Sequence, residues 1–474
     1  GVYHDQLLYQ LRDGSFAPKR MEQALRKLVQ RHEILRTSFY MEETDRPIQV
    51  VWRQVELPIE EIDLRDQDET EQSLTISAHL EEDRKRPFNM KKGPLWRMKV
   101  FYLGREQVVL GWIVHHALMD GWSVASFMTE LIDVYFHLAK GEVQLPELGS
   151  RYVDFVAEEQ VLSGRESWAR YWKEELEGYK RLELPTVGKG SSTLIRELEA
   201  SFLPAIKELA RREQTTPKTV ALSAYLVMMH LMSYDSDLTV GLIENNRPQL
   251  EDGEQVLGCF LNTVPFRVRM DEVDSYRSLL RYVHAKHIEL KQYGRYPFQE
   301  IVRAIGERSG DENPVTDVLF NFVDFHVYDR LDERLGFREE SFERTNTLFD
   351  FTLSTTYDRL EVRLTSAMPQ AEAERWVRCY ERILSVMLED PAQEIDKYIL
   401  LDEDERNRLF EGFNDTRASY PRDATLVSLF EEQAARQGDR VAVKRGERVL
   451  TYRELNEEAN RLAHALRERG LARE

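Results

Sequence analysis

Gln107-Val108-Val109-Leu110-Gly111-Trp112-Ile113-Val114 is an unbroken apolar and β-branched run. Such a run reads as a buried strand. It delivers His115-His116-Ala117-Leu118-Met119-Asp120-Gly121-Trp122-Ser123. From Val124 to Leu138 the spacing turns helical, with Val124, Phe127, Leu131, Val134 and Tyr135 on one stripe. The helix is expected to begin near Ser123, a favourable N-cap residue. Side chains alternate along extended backbone, so His115 and His116 point to opposite sides. One can then be packed while the other faces a cavity. A lone histidine at a strand end is most often a hydrogen-bonded structural residue, so residue type alone does not make a site.

The chain has 474 residues, which predicts two or three folded units. A hydrophobic share of 42% supports sizeable cores and argues against disorder. Sixty-five basic against 84 acidic residues leave a formal net charge of −19. That disfavours a nucleic acid or an anionic membrane as partner, although a local basic patch is compatible with it. Cys259 and Cys379 lie far apart and have no metal spacing. They fit a reducing cytoplasm and are expected to be buried apolar groups. No 18-residue apolar run and no signal-peptide pattern is present, so the expectation is a cytoplasmic protein.

Gln6–Leu11 reads as a strand already under way, followed by a turn at Asp13-Gly14. A helix is predicted from about Pro18 to His32, with Met21, Ala24, Leu25 and Leu28 on one face. Glu81–Arg86 reads as a solvated, charged helix face. In Pro94–Val100, Leu95, Arg97 and Lys99 fall on one side, with Trp96, Met98 and Val100 on the core side. Turn formers mark a lobe boundary at 177–193. The second half repeats the pattern, with helices 203–213 and 216–232 before a strand Asp237–Leu242. A strand Val318–Val323, a hairpin about Asp358-Arg359 and a helix 370–389 follow. Two similar halves suit a pseudo-dimeric α/β protein with its site at the seam.

The histidine stretch resembles the HHxxxDGWS motif of nonribosomal peptide synthetase condensation domains, members of the chloramphenicol-acetyltransferase-like superfamily. Arg31-His32-Glu33-Ile34-Leu35-Arg36-Thr37-Ser38-Phe39 is similar to the family's RHExLRTxF motif, and Tyr152–Val156 to its YxDFA motif. Gly258-Cys259-Phe260-Leu261-Asn262-Thr263-Val264-Pro265-Phe266-Arg267 resembles GxFxNTxxxR, which in isolation reads as a strand with a glycine kink. Arg295–Glu300 and Asn313–Phe325 resemble the PFE-type and NPL-type motifs. Leu450-Thr451-Tyr452-Arg453-Glu454-Leu455 resembles the LTYxEL motif that opens an adenylation domain. An SxAQxR-type motif that precedes these in the family is not seen, so the first strand or helix of the domain is expected to be missing.

The resemblance implies two chloramphenicol-acetyltransferase-like lobes in a V shape, with the active site in a tunnel at the seam. It implies a first lobe at 1–176, a second at 177–399, a linker at 400–424 and an adenylation fragment at 425–474. It implies peptide-bond formation between donor and acceptor thioesters, each on the phosphopantetheine arm of a carrier domain, with no cofactor bound by the domain itself. The partners implied are the upstream and downstream carrier domains and the adjoining adenylation domain. His116 is the candidate to hydrogen-bond the attacking amine, as base or as positioning group. His115 is expected to pack and hold the loop. Gly121 lets backbone approach the substrate, and its amide can face a developing oxyanion. A loop carboxylate at a buried seam needs a cation, so Asp120 is expected to pair with Arg267. Arg267, Asn262, Trp122 and Ser123 are read as structural at the site. Ser123 has no GxSxG context and is not read as a nucleophile. A zinc reading of the histidines fails, because adjacent side chains on a strand diverge.

Rival readings are a catalytically silent carrier-docking module and an epimerisation-type relative. The paired-aspartate pattern of heterocyclisation domains is absent, and the adenylation start disfavours a free coenzyme A acyltransferase. The letters MDGWS and NTVPFRV lean toward D-configured or unusual donors.

Overall fold

The computed structural model describes residues 4–41, 47–185, 190–249, 252–307, 313–325, 335–337, 347–395 and 403–471. Part of the turn-rich lobe boundary, 186–189, lies outside them. The chain divides into two compact units, Gly1–Leu400 and Leu401–Glu474.

The first lobe of the larger unit carries β1 (His4–Arg12), α1 (Pro18–Arg31), β2 (Thr37–Tyr40), β3 (Ile48–Val51), β4 (Ile59–Asp63), α2 (Glu69–Arg84), β5 (Trp96–Tyr102), β6 (Gln107–His115), α3 (Gly121–Leu138), α4 (Tyr152–Ser163) and α5 (Glu166–Glu175). The second carries β7 (Ser192–Glu197), α6 (Phe202–Arg212), α7 (Pro217–Ser233), β8 (Asp237–Asn245), β9 (Leu261–Arg269), α8 (Tyr276–Tyr293), α9 (Phe298–Ile305), β10 (Val318–Val323), β11 (Leu335–Phe337), β12 (Phe349–Ser354), β13 (Glu361–Ser366) and α10 (Gln370–Glu389).

The first sheet runs β11-β1-β6-β5-β4 and the second β7-β13-β12-β10-β8-β9. β6 lies antiparallel between β1 and β5, and pairing continues to its last residue, His4 opposite His115. Its even positions Val108, Leu110, Trp112 and Val114 pack with Trp96, Met98 and Val100 of β5 and with the apolar stripes of α1 and α3. Its odd position Val109 faces Leu8, Phe101 and the α2 residues Ile76 and Leu80. Each large apolar side chain buried this way contributes about 1.5–3 kcal/mol. The strand therefore holds the histidine loop rigidly from both faces.

Two local expectations change. Leu95 is buried in the same core as Trp96, because it precedes the strand and is not bound by its alternation. The charged segment 81–86 is not wholly solvated: Asp83 is buried. α2 lies against the sheet face that carries Arg97, whose Nη1 reaches Asp83 at 3.1 Å, while His4 Nε2 lies 3.2 Å from the same carboxylate. A carboxylate withdrawn from water persists only with such partners.

In the second lobe β10 runs parallel to both β8 and β12, and β12 and β13 form the expected antiparallel pair. α7 is buried continuously from Thr219 to Met229, as befits a helix enclosed by sheet and neighbours. β11 belongs to the second half of the chain yet pairs with β1, setting Leu335 opposite Leu11 and into the first-lobe core.

The smaller unit contains α11 (Glu403–Asn407), a π-helical turn Arg408–Gly412, α12 (Leu426–Arg436), β14 (Val441–Arg445), β15 (Arg448–Thr451) and α13 (Tyr452–Glu468). Thr451 and Glu454 form a capping box that starts α13. Among the described residues no helix is long and apolar enough to cross a membrane.

Candidate active site

β6 ends at His115, and α3 begins six residues later. The helix is capped by Asp120, not by Ser123 as expected, and the reason is geometric. Asp120 has extended backbone, and its Oδ1 accepts the Ser123 amide at 2.7 Å, which places Ser123 inside the first turn.

Asp120 is almost fully buried, so its partners decide what the loop is fixed to. Its Oδ1 lies 3.2 Å from Nη2 of Arg247, and its Oδ2 accepts the Phe260 amide at 3.1 Å. Its own amide donates to the Gly258 carbonyl at 3.1 Å. The histidine loop is thus tied to the second lobe by one carboxylate. The expected partner, Arg267, is elsewhere. It forms a two-pronged pair with Asp237, at 2.8 and 2.7 Å, and donates to the carbonyls of Glu175 and Glu177. The strand separates the two positions: seven extended residues from Phe260 to Arg267 span about 23 Å.

Arg247 is the residue the sequence reading missed. It follows β8 in Asn246-Arg247-Pro248, where a proline ends the strand and leaves a charge at its tip. Nη1 donates to the carbonyls of Gly253 and Val256, Nη2 donates to Ser123 Oγ at 2.7 Å, and the guanidinium lies 4.2 Å from the Phe260 ring centre. Ser123 Oγ also donates to the Gly258 carbonyl at 2.7 Å and accepts the Gly258 amide at 3.1 Å. Its one donor and both acceptor positions are filled, which leaves it a structural hydroxyl. Asn262 is similarly committed. Its amide donates to the Gly294 and Tyr296 carbonyls and its oxygen accepts the Phe298 amide that opens α9. Trp122 donates to the Glu254 carbonyl at 3.2 Å and meets Phe325 edge-on.

Two glycines allow these close approaches. A Cβ on Gly121 would stand 2.7 Å from Phe325 Cζ, and one on Gly258 would stand 2.1 Å from Tyr152 Cδ2. Tyr152 is held there by a 2.9 Å bond from its hydroxyl to the Cys259 carbonyl, so it cannot simply swing away. Gly258→Ala is expected to lower stability by about 1–3 kcal/mol, the usual effect of overpacking, read as a lower melting temperature.

The two histidines have different surroundings. His115 Nδ1 accepts the Ala117 amide at 3.1 Å, and its ring meets Phe88 edge-on. Burial, with His116 and His4 adding to it, lowers its pKa from 6.5 to about 4. It is therefore neutral near pH 7. As pH falls from 6.5 toward 4 the unfolded chain takes up a proton that the folded chain refuses, so stability is lost across that window. Thermal melts at about pH 7.5 and about pH 5 are expected to differ less for His115→Gln than for the parent.

Burial also disfavours charge on His116, but the side chain of Cys259, which hydrogen-bonds the ring, and the carboxylate of Asp5 outweigh it and raise its pKa. Cys259 and Cys379 are both half-buried, not buried as expected. Among the described residues no group of three or more His, Cys, Asp or Glu is placed to hold a metal ion.

Residues 2–410 match the family model described as the condensation domain. The chain belongs to the condensation-domain family. Beyond the condensation domain, residues 430–474 match the model of AMP-binding enzymes, as far as an opening segment. Bacitracin synthase 1 of Bacillus licheniformis is 29% identical over 489 residues, covering 100% of this chain and 9% of that protein. The chain thus spans less than a tenth of this relative. A four-domain nonribosomal peptide synthetase bound to AMP and glycine superimposes with a TM-score of 0.78 at 18% identity, covering 99% of this chain and 37% of the other. The X-domain from teicoplanin biosynthesis gives 0.73 at 20% identity, covering 84% and 93%. These likenesses establish the two-lobed α/β pseudo-dimer of condensation domains.

Proposed function

We propose that this condensation domain forms a peptide bond between a donor acyl or peptidyl thioester and an acceptor aminoacyl thioester, both carried on phosphopantetheine arms of partner carrier domains. The observation that supports it most is His116, placed at the end of a rigid strand on a loop that Asp120 and Arg247 clamp to the other lobe. The acceptor amine attacks the donor carbonyl, the C–N bond forms and the C–S bond breaks. The donor pantetheine leaves as a thiol carrying the proton given up by the amine. A neutral amine needs little activation, so positioning supplies most of the acceleration. His116, holding its proton, acts as a hydrogen-bond donor to the tetrahedral state. The Gly121 amide, in the first turn of α3, is a second donor at the positive end of a helix. His115, Trp122, Ser123 and Asn262 act as supports.

A second reading is a silent docking module, favoured by the likeness to an X-domain, a complex of which with OxyB is among the solved structures. Reconstitution separates the two. With donor and acceptor groups loaded on their carriers, intact-protein mass spectrometry is expected to find the dipeptide on the acceptor carrier when the chain is added. Carrier binding without any dipeptide would favour docking.

A further inference from the structure

One ring from the second half of the chain reaches the first residue of α3. A Cβ on Gly121 would have three ring atoms of Phe325 as its nearest neighbours, Cζ at 2.7 Å, Cε2 at 3.2 Å and Cε1 at 3.8 Å. The ring therefore points tip-first at the glycine. Beside it stands Trp122, whose own indole is held by the Glu254 carbonyl. The backbone of Phe325 is fixed as well. Its amide donates to Thr356 Oγ1 at 3.2 Å, and the Ser354 hydroxyl donates to the same oxygen at 3.0 Å. Thr356 opens the turn between β12 and β13, where Tyr357 and Asp358 adopt left-handed backbone at φ 61° and 53°. Neither is glycine, so the turn is strained, and Lys207 of α6 holds it at 3.1 Å from the Asp358 carboxylate. Backbone strain of this kind clusters at functional sites. His116, Gly121, Trp122 and Phe325 are all half-buried, whereas Leu118, Met119 and Asp120 are buried. The ring thus stands on the accessible side of the histidine loop.

We propose that Phe325 is a specificity-determining residue: its ring is a wall beside the Gly121 amide that limits the size of the donor's α-substituent. The inference rests on the peptide-forming reading, in which the oxygen of the attacked donor carbonyl meets that amide. The donor α-carbon is two bonds from that oxygen, so its substituent lies close to the ring tip. Close-packed groups cannot share the volume. Glycyl and alanyl donors fit, whereas leucyl and phenylalanyl donors must displace a ring that is fixed at its backbone and flanked by Trp122.

The test loads the donor carrier with glycyl, alanyl, leucyl or phenylalanyl groups against one common acceptor, and follows single-turnover transfer by intact-protein mass spectrometry. The unaltered chain is expected to transfer the small donors about tenfold faster than the large ones. Phe325→Ala is expected to bring the large donors to within about threefold of alanyl, with Phe325→Leu in between. A size profile unchanged in Phe325→Ala, or rates that fall in parallel for all four donors, would overturn the proposal. Should Phe325→Ala melt below the assay temperature, Phe325→Leu decides: an intermediate profile supports the wall and an unchanged one rejects it. If the unaltered chain forms no dipeptide from any donor, the peptide-forming reading fails on its own. Calorimetry with glycyl and phenylalanyl pantetheine amides then tests the wall without chemistry. Tighter binding of the glycyl amide that is lost in Phe325→Ala supports it, and equal affinities or no binding reject it.

Discussion

His116→Ala is expected to reduce dipeptide formation by about 10²–10⁴-fold, the range for losing one positioned proton-handling group. The fold should survive. The strand that carries the loop is held by core residues on both faces, and the loop's anchors are Asp120, Ser123 and His115. The melting temperature of the variant should therefore stay near that of the parent. The measurement is single-turnover transfer between loaded carriers, with melting curves alongside. A variant that keeps most of its rate would remove His116 from the reaction. His116→Gln adds information, because its amide can still donate. Partial recovery relative to alanine would identify hydrogen-bond donation, and not proton uptake, as the main contribution.

Asp120→Ala is expected to destabilise the larger unit by about 3–5 kcal/mol, because it leaves the Arg247 guanidinium buried without its carboxylate. The N-cap of α3 is lost at the same time, at about 1 kcal/mol. Asp120→Asn keeps an oxygen to cap the helix but no charge, and should fall between the two. The decisive comparison is Asp120→Ala combined with Arg247→Met. If the charge pair carries the effect, the double variant melts above the sum of the singles. Arg267→Ala should show no such coupling to Asp120, since its partner is Asp237. Strict additivity between positions 120 and 247 would refute the clamp.

The elements around the site were legible where the information was local. The run 107–114, the stripe of α3 and the helix 370–389 are set by periodicity, and periodicity reads directly from the letters. The need for a cation beside Asp120 was also legible, but not its identity. That depends on which loop of the other lobe arrives at the histidine loop, a long-range fact. Arg267 carried the motif, whereas Arg247 carried the geometry. Asp83 failed for a similar reason: a charge on a helix reads as solvated until the sheet face beneath it proves to hold Arg97. Cys259 read as a buried apolar group but is half-buried, because its exposure depends on packing between segments far apart in the chain.

The three residues of β11 have a consequence for recombination between such proteins. They complete one margin of the first sheet with a piece encoded far downstream, and Leu335 fills a space there. A chimera joined at the midpoint between lobes would combine a β1 from one parent with a β11 from another. Their registers and the volume at position 335 must agree, or the margin of the sheet is left as an open template for other chains. The natural unit of exchange is accordingly the whole pseudo-dimer: its halves resemble independent modules in outline, but the chain has sewn them together.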